Sequence, residues 1–239
     1  MRIVFRCDPA LIDRIPRPRP ARRALPDWLR DMPTKAFSET HGQDVRTLKQ
    51  CPPFVDAMAF GFVMPLVCDV EVADGRFAWD FDLPPLSLEA HPRSPMSFHV
   101  AAQAQGAPFH EPDRAFVKFN SFWTVELPAG FSLFAAHPAN RWDLPFRTLS
   151  GLVDSDRFHE VGVLFPAVWL DPGFRGVLRA GTPVAQCYAV MREALDLAFE
   201  PMSPQQRRAY DETAFALLDK PGVYRRRFRA RRGAQAVSD

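Results

Sequence analysis

From Cys51 to Arg192 the chain alternates short apolar runs with turn residues, at the spacing of β-strands rather than helices. The run 54–72 is apolar and interrupted by Gly61 and Pro65. Asp74-Gly75 follows, between stretches of alternating character. That dipeptide supplies the backbone angles of a two-residue turn, so 66–72 and 76–82 are expected to form a hairpin. Residues 83–95 read as loop or edge strand, and 98–105 alternate weakly. The strongest strand–turn–strand pattern is 115–140, where Pro128-Ala129-Gly130 separates two β-type runs. Further strands are expected at 147–153, 158–170, 176–179 and 183–192.

The pattern changes at both ends. Val4 and Phe5 suit a short strand. The proline-rich stretch 15–26 is expected to run extended and to wrap over the body, because apolar residues flank it. Residues 26–32 read as a short helix opened by Pro26. Near the C-terminus, Ser203, Pro204 and Gln206 form a capping box with proline at the first helical position. Tyr210, Ala214, Leu217 and Leu218 then share one helical face, and Lys220-Pro221-Gly222 stops the helix.

Composition supports this reading. With 21 Phe, 24 Pro and only 12 Gly, the chain suits aromatic-packed sheets and disfavours long helices. The expected fold is mainly β, a β-clip-like or distorted barrel with an extended N-terminal arm, one short N-terminal helix and one C-terminal helix. A length of 239 residues suits a single elaborated domain. Its parts are arm and short helix over 1–50, β core over 51–192, helix over 203–220 and basic tail over 221–239.

Charge and cysteine usage narrow the function classes. The net charge of +2 conceals six Arg and one Asp in 225–239, so the body is mildly acidic. Such a tail is either a solvated terminus or a contact for nucleic acid or another phosphate-bearing partner. Four widely spaced Cys form no metal or disulfide pattern, and no segment approaches the roughly 20 apolar residues that span a bilayer. The N-terminus lacks a signal-peptide pattern, and the cytoplasm is the expected compartment. No phosphate-binding glycine loop, GxSxG or HExxH occurs. The six His show no His-x-Asp or His-x-Glu pair, so no metal ligands are assigned.

Three segments carry a resemblance: LPAGFSLFAAHPAN at 127–140, GLVDSDRF at 151–158 and GTPVAQCYAV at 181–190. In order and spacing they resemble successive motifs of the dUTPase and dCTP-deaminase superfamily, covering a quarter to a third of the chain. Pro128, Gly130 and Phe131 match the first motif, Gly151, Val153 and Asp154 the second, and Gly181, Val184, Ala185 and Gln186 the third. The family's Pro-Arg-Ser phosphate motif is replaced by Pro138-Ala139-Asn140. The resemblance implies a β-clip fold, a trimer and a nucleotide-like small ligand, bound or hydrolysed, with Mg2+ where hydrolysis occurs. Asp154 would be the general base, Phe158 would stack near the sugar, and Asn140, Arg141 and Gln186 would contact substrate. Asp-Ser-Asp is also ordinary turn chemistry, and Gln186 on an apolar strand also suits a backbone-binding role. Two other classes stay open: a non-catalytic interaction protein using its Pro/Arg-rich termini, and a metal-dependent modifying enzyme on a β-barrel-like fold.

Overall fold

The computed structural model describes residues 1–111 and 114–230; Arg231 and Arg232 of the basic tail lie outside them. The chain is mainly β, with sixteen strands in five sheets among the described residues, and every pairing is antiparallel.

The spine is a five-stranded sheet. Its central strand Pro183–Met191 pairs with Phe131–Ala136 on one side and Phe62–Pro65 on the other. Gly151–Val153 and Arg19–Pro20 form its edges. A four-stranded sheet runs in the order Phe146–Thr148, Phe165–Trp169, Phe116–Phe119, Met96–Phe98. Gly176–Leu178, Val70–Ala73 and Arg76–Ala78 make a third sheet. One apolar cluster joins all three, drawing Met64, Leu133 and Cys187 from the first, Val117, Phe119, Phe146 and Phe165 from the second, and Val70 and Val72 from the third. Phe119 and Phe146 meet at 4.7 Å between ring centroids, in the offset range that aromatic pairs prefer.

Among the described residues no sheet closes on itself, so the barrel alternative gives way to open sheets. The physical reason lies at the edges. Arg19–Pro20 is two residues long and its proline offers no N–H to a further strand. The same pairing explains the N-terminal arm, which lies against the body as expected. Ile15 and Ala21 are buried, and the Trp123 indole donates to Pro16 O at 2.9 Å.

The 66–82 hairpin forms around Asp74 and Gly75, both at positive φ. Two other expectations need correction. The strands on either side of Pro128-Ala129-Gly130 do not pair with each other. Thr124–Glu126 pairs with Val4–Arg6, whereas Phe131–Ala136 enters the five-stranded sheet, so the turn passes the chain from one sheet to another. The apolar run after Cys51 begins not as a strand but as helix α2, Pro52–Ala59, because two prolines occupy its first turn, where no backbone donor is needed. It follows helix α1, Asp27–Asp31. Gly61, two residues past the end of α2, has φ +72°; a Cβ there would fall 2.2 Å from Cys187 O, so only glycine fits. A second hairpin, Lys35–Ser38 with Gln43–Arg46, lies within the segment read as arm. Helix α3, Pro204–Asp219, carries the expected capping box.

Candidate functional site

The sequence-predicted residues fall into two groups at opposite ends of the strand Phe131–Ala136. Asp154 follows the edge strand whose Val153 pairs with Leu133, so it stands beside Ser132. Ser132 Oγ donates to Asp154 Oδ1 at 2.6 Å and Arg192 Nη1 approaches the same oxygen at 3.3 Å. Arg192 forks onto Asp156, whose Oδ2 also accepts the Gly130 N–H. The Arg192 guanidinium, followed by the Gly130 amide, holds the Asp156 carboxyl well below the usual carboxylate range. Phe158 is exposed nearby, and its N–H donates to Asp154 O.

Beyond the other end of the strand, Gln186 is buried and fully engaged. Its Oε1 accepts the Ala139 N–H at 2.8 Å, and its Nε2 donates to Ala57 O at 2.9 Å and Phe60 O at 2.6 Å. It fastens the 138–140 loop to the end of α2. Asn140 adopts φ 58° in the turn, and Arg141 is clamped on Asp143 through Nε and Nη2, both at 2.8 Å. Ser132, beside Asp154, and Ala136, the cross-strand partner of Gln186, lie four residues apart, roughly 13 Å along an extended strand. Asp154 and Phe158 therefore do not share a pocket with Asn140, Arg141 and Gln186.

A large cleft lies elsewhere. It encloses about 970 Å3 between Arg6–Asp8, the loop 88–92, the segment 121–126 and residues 159–162. Each wall has a local cause. Val4–Arg6 pairs with Thr124–Glu126, with Val125 facing the core and Thr124 and Glu126 on the opposite side. Asp8 anchors the neighbouring loop by accepting from Ser87 Oγ at 2.6 Å and from the Ser87 and Ala10 amides at 2.9 Å. These bonds, led by the Ser87 hydroxyl, lower its pKa. Gly162 lets the 159–162 segment press against Ser121, whose carbonyl would lie 2.3 Å from any Cβ there.

Arg6 and Glu126 form an ion pair at 2.5 Å on the cleft wall, and the Arg6 hydrogen bond depresses the Glu126 pKa. Thr124 Oγ1 and His159 Nδ1 are buried at the walls of this cleft without a hydrogen-bond partner among the described residues. Such orphaned polar atoms are rare in native interiors and each costs about 1–3 kcal/mol. His91 and Phe122 meet at 4.8 Å, adding an aromatic patch. Asp8, Glu89, Glu126 and Glu160 stand against the single guanidinium of Arg6, so carboxylates outnumber guanidinium groups in the lining. Leu88, Ala90, Pro92 and Val161 supply apolar surface. A ligand with donor groups and an apolar body suits that mixture.

None of these residues is among the sequence-predicted site residues, although His159 and Glu160 directly follow Phe158. The alternation in Thr124-Val125-Glu126 was the available signal for the rest: two polar positions flank a core residue in an otherwise apolar run. Among the described residues, no three or more His, Cys, Asp or Glu side chains converge as a metal site. Among them, too, no helix is long and apolar enough to cross a membrane. No family model matches the chain, and no curated protein matches it either.

Proposed function

We propose that the protein binds a small organic ligand with a cationic or donor-rich head and an apolar body in the cleft between Arg6, Glu126 and His159. The observation that carries this reading is the pair of orphaned polar atoms, Thr124 Oγ1 and His159 Nδ1, at the wall of a large acidic cleft. The excess of carboxylates disfavours a polyphosphate there and favours a positive group. Thermal-shift titration with polyamines, choline-type amines and nucleotides tests it. The amine class is expected to raise the melting temperature, by an amount equivalent to about 2.7 kcal/mol at a hundredfold excess over Kd. Glu89→Gln with Glu160→Gln should weaken that binding roughly three- to tenfold at low salt. Stabilisation by nucleotides alone would overturn the assignment.

A second reading, a nucleotide-like ligand at a remodelled dUTPase-type site, is favoured by one observation: Asp154 lies within hydrogen-bonding reach of Ser132 and Arg192, beside the exposed Phe158. In that reading Asp154 polarises a water and Phe158 stacks on the sugar. The site does not fit Mg2+, because Arg192 bridges Asp154 and Asp156 and both Asp156 oxygens are engaged. Asp154→Asn should abolish nucleotide binding if this reading holds. Either reading is compatible with the cytoplasm, where the four free cysteines would stay reduced.

A further inference from the structure

The central strand ends at Met191, and beyond it the chain leaves the body. Residues 192–203 have no regular structure and are exposed, and no side chain of helix α3 is fully buried. The chain then returns. Lys220-Pro221-Gly222 ends α3, Val223 is buried, and Arg229 forks onto Asp56 of α2 at 2.6 and 3.0 Å. This return brings the first arginines of the basic tail against two other elements.

Between the returning segment, the end of the hairpin strand Gln43–Arg46 and the start of α2 lies a pocket of about 400 Å3. Arg46, Lys220, Arg225 and Arg226 line it beside the neutral Gln50, and among the described residues no carboxylate does. The composition is the reverse of that of the cleft at Arg6 and Glu126.

Two of these cations converge on one point. Gly222 has φ +79°, and the position a Cβ would take there lies 3.3 Å from Arg46 Nη1 and 3.3 Å from Arg226 Nη1. The two guanidinium ends are therefore within twice that distance of each other. Arg226 is fixed in place, because its Nη1 donates to Pro221 O at 3.0 Å and its backbone N–H to Gly222 O at 3.2 Å. Elsewhere Arg6, Arg141, Arg179, Arg192 and Arg229 each meet a carboxylate. Among the described residues, Arg46, Arg225 and Arg226 form no ion pair. Lys220 meets its neighbour Asp219 at 3.8 Å, with both side chains exposed.

Like charges gathered without a counter-charge repel, and an anion within reach of all of them relieves that repulsion. Guanidinium groups offer planar forks of donors that match phosphate oxygens. Pro52, on the same lining, has no N–H, so the donors there are side chains. Leu217, Pro52 and Tyr224 add apolar surface. We propose that this pocket binds a small phosphate monoester, with Arg46 and Arg226 gripping the phosphate, Lys220 and Arg225 adding charge, and Tyr224 against the organic part. The volume lies in the range of small-molecule sites. Cations gathered at one point suit a single phosphate better than the spaced phosphates of nucleic acid.

Isothermal titration calorimetry of the full chain with inorganic phosphate and phenyl phosphate, at constant low ionic strength, tests this. One saturable site per chain is expected, with phenyl phosphate bound more tightly and displaced by inorganic phosphate. Arg46→Gln and Arg226→Gln should each weaken binding about tenfold, as expected for loss of one charged hydrogen-bonding partner, and the double variant should abolish it. Both side chains are exposed, so the far-ultraviolet spectrum should not change. Arg76→Gln with Arg93→Gln removes the same charge outside the pocket and should leave the affinity unchanged. Glu89→Gln with Glu160→Gln, in the acidic cleft, should not weaken it, which separates this site from the amine site. The proposal is overturned by absence of saturable binding, by binding that the double variant retains, or by equal weakening in the control pair of arginines. Tighter binding of a single-stranded oligonucleotide than of phenyl phosphate, with a steep salt dependence, would assign these cations to nucleic acid and overturn it as well.

Discussion

Gln186 combines the requirements of three segments in one side chain. It is buried in the central strand, yet it satisfies one amide of the 138–140 loop and two carbonyls at the end of α2. Gln186→Leu keeps the volume and strands all three groups, so a loss of about 2–4 kcal/mol is expected in urea unfolding. His137 makes a different demand. The Thr148 N–H points at its Nδ1, at 3.3 Å, while Nε2 lies 2.9 Å from Arg141 O, which assigns a neutral ring with the proton on Nε2. Burial is the main cause that pushes its pKa below the ordinary imidazole value. In the unfolded chain the ring gains a proton below about pH 6.5, whereas the folded ring resists it. The unfolded state therefore binds more protons, and stability falls as pH drops through that window. Urea midpoints should decrease from about pH 7.5 to about pH 5.5, and His137→Gln should flatten that slope.

Among the elements, those specified by local chemistry were legible in the sequence. Asp74-Gly75 requires a hairpin, and Ser203-Pro204-Gln205-Gln206 a helix start, whatever surrounds them. Ser203→Ala should cost α3 about 1 kcal/mol. Since α3 has no fully buried side chain, the loss should appear as faster hydrogen exchange in 206–212 rather than as a lower global melting temperature. Pairing was less legible than element type. The run 115–140 is β-type as expected, but it folds as three strands rather than two, and nothing local says that Thr124–Glu126 joins Val4–Arg6 rather than Phe131–Ala136. The helix after Cys51 was hidden because α2 is apolar enough to read as strand, and only its paired prolines marked it. The cleft was least legible of all. Its walls come from four segments, each carrying two or three polar residues that acquire meaning only once the sheets bring them together.

At the scale of the whole molecule, the basic tail changes meaning. Arg229 is not a solvated charge but the pin that returns the chain to α2, with Val223 buried beside it. The open sheets and the acidic cleft belong to a body that is closed apart from one loop of chain. That loop gives the protein an unusual response to a protease. A single cut between Glu193 and Met202 falls in exposed, extended backbone, where cleavage is easiest. The C-terminal piece it frees is still held by Arg229 on Asp56 and by Val223. Brief digestion of the chain should therefore give two bands on a denaturing gel and one on a native gel. Arg229→Ala should let the small fragment diffuse away.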